Sequence, residues 1–209
     1  MLIPADTAMI FAAASVALAL APGPDNIFVL TQSALHGRLA GVMVTLGLMT
    51  GVMVHTTLVA LGVAVIFQTS LIAFTVLKLL GAGYLVYLAI MAFRAPATPV
   101  DQAQAQRTPL ARLFGRGVVM NLTNPKVAIF FLAFLPQFAD PLRGAVTGQI
   151  FLFGLLFALC AFGVFCAIAA AAGFLGTWLS NSPKAQLALN RMAGVVFLGL
   201  AVRLVLAER

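Results

Sequence analysis

The apolar residues of this chain come in long unbroken runs, and the polar residues are confined to short intervals between them. No charged residue separates Arg38 from Lys78, and none separates Arg143 from Lys184. A bilayer-crossing helix needs about 20 apolar residues, so each stretch has room for one long span or two short ones. Runs such as Ile129 to Leu135 and Ala167 to Ala172 do not alternate with polar residues, as the strands of a membrane barrel must. Six helical spans are predicted, at about 4–35, 40–67, 70–93, 113–137, 146–173 and 190–207. Only Gln68, Thr69 and Ser70 join the second to the third, which predicts a helical hairpin. The opening Met1-Leu-Ile-Pro-Ala-Asp6 lacks the positive segment of a secretory signal, so it is predicted to be retained as part of the first span.

Composition agrees with this pattern. The 209 residues are 63% hydrophobic and 8% charged, against about 25% charged in soluble domains. The net charge of +7 does not point to nucleic acid, because the basic residues sit between apolar runs and form no surface cluster. They carry topology instead. Arg38, Arg94, Arg107, Arg112, Arg116, Lys184 and Arg191 fall in the first, third and fifth connections, whereas Arg143, Arg203 and Arg209 fall on the other side. Positive-inside places the odd connections in the cytoplasm and both termini outside. The polar stretch Ala95 to Arg107 is too short for a catalytic or nucleotide-binding module, and no phosphate loop occurs anywhere. Cys160 and Cys166, six apart in one apolar run, are expected to be small buried hydrophobes rather than a disulfide or metal pair.

Two spans contain residues that should break them. The first carries Ala21-Pro22-Gly23-Pro24-Asp25-Asn26, and the fourth carries Asn121-Leu-Thr-Asn124-Pro125-Lys126. Aligning Pro24 with Pro125 divides the chain into two groups of three spans, about 4–94 and 113–207, joined by a cytoplasmic connection at about 95–112. An odd number of spans per half forces inverted topology. The predicted fold is therefore an all-α integral membrane protein, one transmembrane transporter domain over 1–209, built as two inverted three-helix repeats with helices 1 and 4 broken.

Proline removes an amide hydrogen and repels the carbonyl four residues back, so Pro22 and Pro24 should free the carbonyls of Leu18 and Leu20, and Pro125 that of Asn121. Such groups are tolerated at membrane depth only inside protein or along a wet cavity. One half-helix then offers carbonyls and the other offers amide hydrogens, a pair suited to a zwitterion. The candidate substrate-binding residues are Pro22, Gly23, Pro24, Asp25, Asn26, Asn121, Asn124, Pro125 and Lys126. Asp25, His55 and Lys78 are candidates for ion coupling, since intramembrane ionisable groups are functional by default. Each has a plainer reading: Asp25 could cap a helix, Lys78 and Lys126 could snorkel to an interface, and the asparagines could serve only as caps. Gly47, Gly51, Gly81 and Gly83 are expected to be close helix contacts, and the glycine-rich second span would also suit a homodimer. No catalytic constellation or metal-ligand spacing is visible, and no cofactor is implied.

These motifs resemble the LysE/RhtB family of bacterial amino-acid exporters. The resemblance rests on Pro22-Gly23-Pro24-Asp25-Asn26, on Gly41, Gly47 and Gly51, and on Lys78-Leu-Leu-Gly81-Ala-Gly-Tyr84-Leu. It extends to Asn121-Leu-Thr-Asn-Pro-Lys126 with Phe130, Phe131 and Leu135-Pro-Gln-Phe138, and is strongest between about 15 and 140. It implies a transporter of the bacterial cytoplasmic membrane, not an enzyme, which exports an amino acid or derivative, with protons as the coupling ion. The competing readings are an exporter of another small solute or cation, and a membrane subunit that transports nothing. No residue chooses among amino acids, although one carboxylate, one lysine and apolar walls favour a neutral one.

Overall fold

A computed structural model describes residues 2–69, 71–96, 108–172, 174 and 182–206; within these helices the side chains at 63–69, 71–74, 77, 78, 81, 203 and 204 fall outside the description. Helix α1 spans Ala5–Leu20 and α2 spans Pro24–His36. They are followed by α3 (Arg38–Thr69) and α4 (Leu71–Arg94), then by α5 (Leu110–Thr123) and the short α6 (Pro125–Ile129). A π-helical turn at Phe130–Phe134 and a 3-10 turn at Leu135–Phe138 prolong α6, a second 3-10 turn lies at Pro141–Arg143, and α7 (Val146–Ala170) and α8 (Pro183–Leu206) complete the described elements.

Three helices, α3, α7 and α8, contain segments long and apolar enough to cross a bilayer. The pairs α1 with α2, and α5 with α6 and its continuation to Phe138, bent by 61° and 53°, are each long and apolar enough to make one more span. With 24 residues, α4 rises about 36 Å, enough for a sixth crossing. The protein is an all-α multi-pass membrane protein, broken where the prolines predicted. Large apolar side chains such as Leu58, Leu61, Leu80, Leu159 and Val195 lie on its outside, as expected where the surrounding solvent is hydrocarbon.

Both prolines stand at the first position of the second half-helix, where a missing N–H costs nothing and a fixed φ favours helix initiation. Behind the second break a core of rings holds the bent half in place. Phe11 of α1 lies 4.9 Å from both Phe138 and Phe153, and Phe131 lies 5.0 Å from Phe157 of α7. The α6 segment is thereby wedged between α1 and α7 by edge-to-face and tilted contacts.

Four expectations need correction. The sixth helix begins at Pro183, ahead of the predicted residue 190, so Lys184 and Arg191 are helical rather than in a connection. Proline at the first helical position starts it, and the polar Lys184, Asn190 and Arg191 do not stop it. Helices α3 and α4 form no hairpin: among the described residues they touch little, α3 packing on α5 and α7 and α4 on α8. A short link fixes the ends of two helices, not the angle between their axes. Cys160 and Cys166 are half-buried rather than buried. Gly83 is exposed, and a β-carbon there would meet nothing within 4 Å, so it is no packing contact. Gly47 and Gly51 do lie at close approaches, but to α5 of the same chain. The surroundings of Gly81 and the side chain of Lys78 fall outside the description.

Candidate functional site

The two breaks, a hundred residues apart in sequence, meet in the middle of the fold. Asp25, in the first turn of α2, is only 3% exposed, and its Oδ1 accepts a hydrogen bond of 3.0 Å from Nδ2 of Asn124 at the second break. Asn124 caps α6, its Oδ1 accepting from the backbone N–H of Lys126 at 3.0 Å. One asparagine amide thus ties the carboxylate of the first break to the helix start of the second. The Asn121 side chain also lies beside the Asp25 carboxylate.

Lys126 completes the exchange in the opposite direction. A cation at the start of α6 opposes that helix's own dipole, and the side chain does not snorkel out; it is 8% exposed. Its Nζ reaches the carbonyl end of α1, donating to Ala21 O at 3.1 Å and Leu18 O at 3.4 Å. Those carbonyls carry the partial negative charge of α1's C-terminus, which offsets the unfavourable placement. Gly23 makes room for it: a β-carbon there would come within 3.0 Å of Nζ. No carboxylate lies within 4 Å of Lys126; among the described residues the sole ion pair is the exposed Arg143 with Asp140.

Other freed backbone groups have partners too. Asn26 Nδ2 donates to Ala19 O at 2.6 Å, so the carbonyls engaged by side chains at the first break are those of Leu18, Ala19 and Ala21. His55, on α3, is buried with Nε2 3.3 Å from Asn121 O, the carbonyl that Pro125 was predicted to free. Its ring stands 6.1 Å from Phe131. Asn121 is seated by Gly51, where a β-carbon would overlap its side chain. Alongside, Gly47 and Gly117 let the backbones of α3 and α5 touch, since a β-carbon at either would collide with the other helix's carbonyl groups.

Among the described residues three buried acceptor atoms have no partner: Oδ1 of Asn26, Oδ1 of Asn121 and Oε1 of Gln32, which lies two turns along α2 from Asp25. An unpaired buried acceptor costs about 1–3 kcal/mol, so the two beside the breaks are open to a donor such as water or a solute. The breaks also border a cavity of about 880 Å³, lined by Pro24, Phe28, Asn124, Pro125 and the α5 residues Arg112, Arg116, Met120 and Thr123. Every sequence-predicted residue from Pro22 to Asn26 and from Asn121 to Lys126 is therefore at the junction, and His55 joins it. Gln32, Arg112, Arg116 and Thr123 join them there without a sequence signal for it: arginines between spans read as topology, and a lone glutamine or threonine carries no pattern.

A polytopic bundle whose two interrupted spans interlock over buried charges has the architecture of a membrane transporter. Residues 16–208 match the family described as LysE type translocator, and the chain belongs to that family. It is similar to a homoserine/homoserine lactone efflux protein of Salmonella typhimurium, 34% identical over 184 residues that make up 88% of each chain. An uncharacterized membrane protein of Vibrio cholerae is 30% identical, with 93% of this chain and 94% of that protein covered. A leucine efflux protein of Salmonella choleraesuis is 27% identical, with 90% and 89% covered. No solved structure matches. Membership of a translocator family makes the protein a transporter and not an enzyme, and bears out the resemblance read from its motifs.

Proposed function

We propose that the protein exports a neutral amino acid or close derivative across the bacterial cytoplasmic membrane, in exchange for protons, and binds it at the two breaks. One observation carries this reading. The carboxylate of Asp25 and the ammonium of Lys126 sit crosswise between the breaks, so the chain fills its own site with the two charges an amino acid carries. A substrate ammonium finds acceptors in the carbonyls of Leu18 and Ala21 and in the unpaired oxygens of Asn26 and Asn121. Its carboxylate meets the ammonium of Lys126 once that leaves the α1 carbonyls. The relatives named for homoserine and leucine efflux support a small neutral substrate.

In this mechanism Lys126 is a tethered stand-in for the substrate ammonium. The empty carrier holds Lys126 on the α1 carbonyls, and substrate displaces it. Asp25 is the buried acidic residue among those described, and takes the coupling proton, with His55 bonded one residue away at Asn121. The helix packing supports two inverted repeats over about 4–94 and 113–207. Exchanging the halves maps the α3–α5 contact onto that of α1 and α2 with α7, and maps α4–α8 and α3–α7 onto themselves. Positive-inside supports cytoplasmic odd connections and external termini. Lipid covers the apolar exterior, and any homodimer would use a surface other than the glycine face of α3. Export of a cation is the weaker reading, because among the described residues no three His, Cys, Asp or Glu side chains gather.

The test is efflux of labelled homoserine, leucine and other amino acids from proteoliposomes, with and without an imposed pH gradient. Accelerated efflux of at least one, steeper with external acid, is expected; no accelerated efflux for any amino acid would falsify the proposal.

A further inference from the structure

Helix α5 has two faces with different duties. Leu113, Gly117 and Asn121 are buried, the last two against α3, while Arg112, Arg116, Val119 and Thr123 follow one another at helical spacing along an exposed line. That line borders the cavity of about 880 Å³, and the same cavity is lined by Pro24 and Phe28 of α2 and by Asn124 and Pro125. At 1.5 Å per residue, Arg116 stands about 10 Å along the axis from Thr123, and Arg112 one turn further. A single cavity therefore carries two guanidinium groups on one stretch of its wall and, at the other end of α5, the amide that binds Asp25.

Arginines at the cytoplasmic end of a span are ordinarily no more than a topology signal. This pair differs in two ways. Both line the cavity that leads to the breaks, and among the described residues neither has an acidic partner within 4 Å. Resting on the export reading above, we propose that Arg112 and Arg116 form a carboxylate-receiving vestibule. They draw in substrates with a free α-carboxylate, which a guanidinium fork can hold by two parallel hydrogen bonds, and they repel amino acids with cationic side chains. The line of Val119 and Thr123 then leads the substrate to Asn124. On this view the vestibule selects for the carboxylate, and the breaks accept the zwitterion whole.

The experiment compares each acid with a derivative that lacks the carboxylate: homoserine with homoserine lactone, and leucine with leucinamide. Initial efflux is measured from proteoliposomes loaded with graded concentrations, for the native protein, the double variant Arg112→Gln/Arg116→Gln and the charge-keeping Arg112→Lys/Arg116→Lys. The glutamine pair is expected to raise the half-saturating concentration of both acids about three- to tenfold, the scale of two partly solvated charges. Lactone and amide efflux should not fall, efflux of lysine and of the protonated derivatives, all net cations, should rise, and the lysine pair, which keeps the charge but not the fork, should recover only part of the loss. Raised ionic strength at the vestibule should shrink the difference between native and glutamine proteins, which a purely structural role would not produce. If the native protein exports neither derivative, the salt response decides. Equal loss for acids and derivatives, no loss, or a loss indifferent to salt overturns the vestibule while export stands. A native protein that moves no amino acid overturns both.

Discussion

Among single residues, Asp25, Asn124 and Lys126 hold the two breaks together, and each can be challenged alone. Asp25→Asn keeps the size and removes the charge-assisted bond from Asn124, worth about 1.5–3 kcal/mol, so efflux should fall at least about tenfold with the protein still folded in the membrane. Lys126→Gln should separate two activities. Net efflux, which needs an empty carrier to return, should be lost, while counterflow of labelled against unlabelled substrate should persist at saturating concentrations with a raised half-saturation; equal loss of both at saturation would remove the stand-in role. Gly23→Ala should mimic it weakly by crowding Nζ. The break residues were legible in sequence because prolines, asparagines and charges stand out in an apolar run. Their partners were not. The bonds from Asn124 to Asp25 and from Lys126 to Ala21 join residues 99 and 105 apart, and only the packed bundle sets that register.

At the scale of helices, α5 is the element that decides whether the site exists. Its backbone rests on α3 at Gly47 and Gly117, directly below the Gly51 notch that seats Asn121. Gly117→Val would drive a branched side chain into the α3 backbone; a loss of about 1–3 kcal/mol is expected, read as a lower Tm in detergent and less protein in the membrane. Pro125→Ala makes a different prediction. It restores an N–H and removes the ring's clash, so α5 can run on into α6 and the 53° bend can straighten, abolishing efflux without lowering Tm. Hydrophobic runs located the helices well because a bilayer demands them. They located α8 poorly at its start, since polar residues at a membrane interface are compatible with helix and Pro183 marks its first turn. Which helices lie side by side depends on small-residue contacts such as Gly154 against Thr56, and those have no signature in a single apolar segment.

At the scale of the whole molecule, orientation is the first quantity to measure. In a background with Cys160 and Cys166 replaced by Ser, Leu142→Cys, at an exposed turn between α6 and α7, should react with a membrane-impermeant maleimide in intact cells. Pro96→Cys, beyond the end of α4, should react only after lysis. The reverse pattern would turn the vestibule away from the cytoplasm. The crosswise pair has a consequence for the electrical behaviour of the carrier. Asp25 and Lys126 are formally −1 and +1, and the amino acid that replaces their mutual role is itself neutral, so neither the empty nor the loaded site brings net charge of its own across the membrane. Whatever current accompanies efflux then belongs to the coupling ion alone. Membrane voltage acts on each such charge with about 2.3 kcal/mol per 100 mV, and charge moved per molecule exported would count the protons directly.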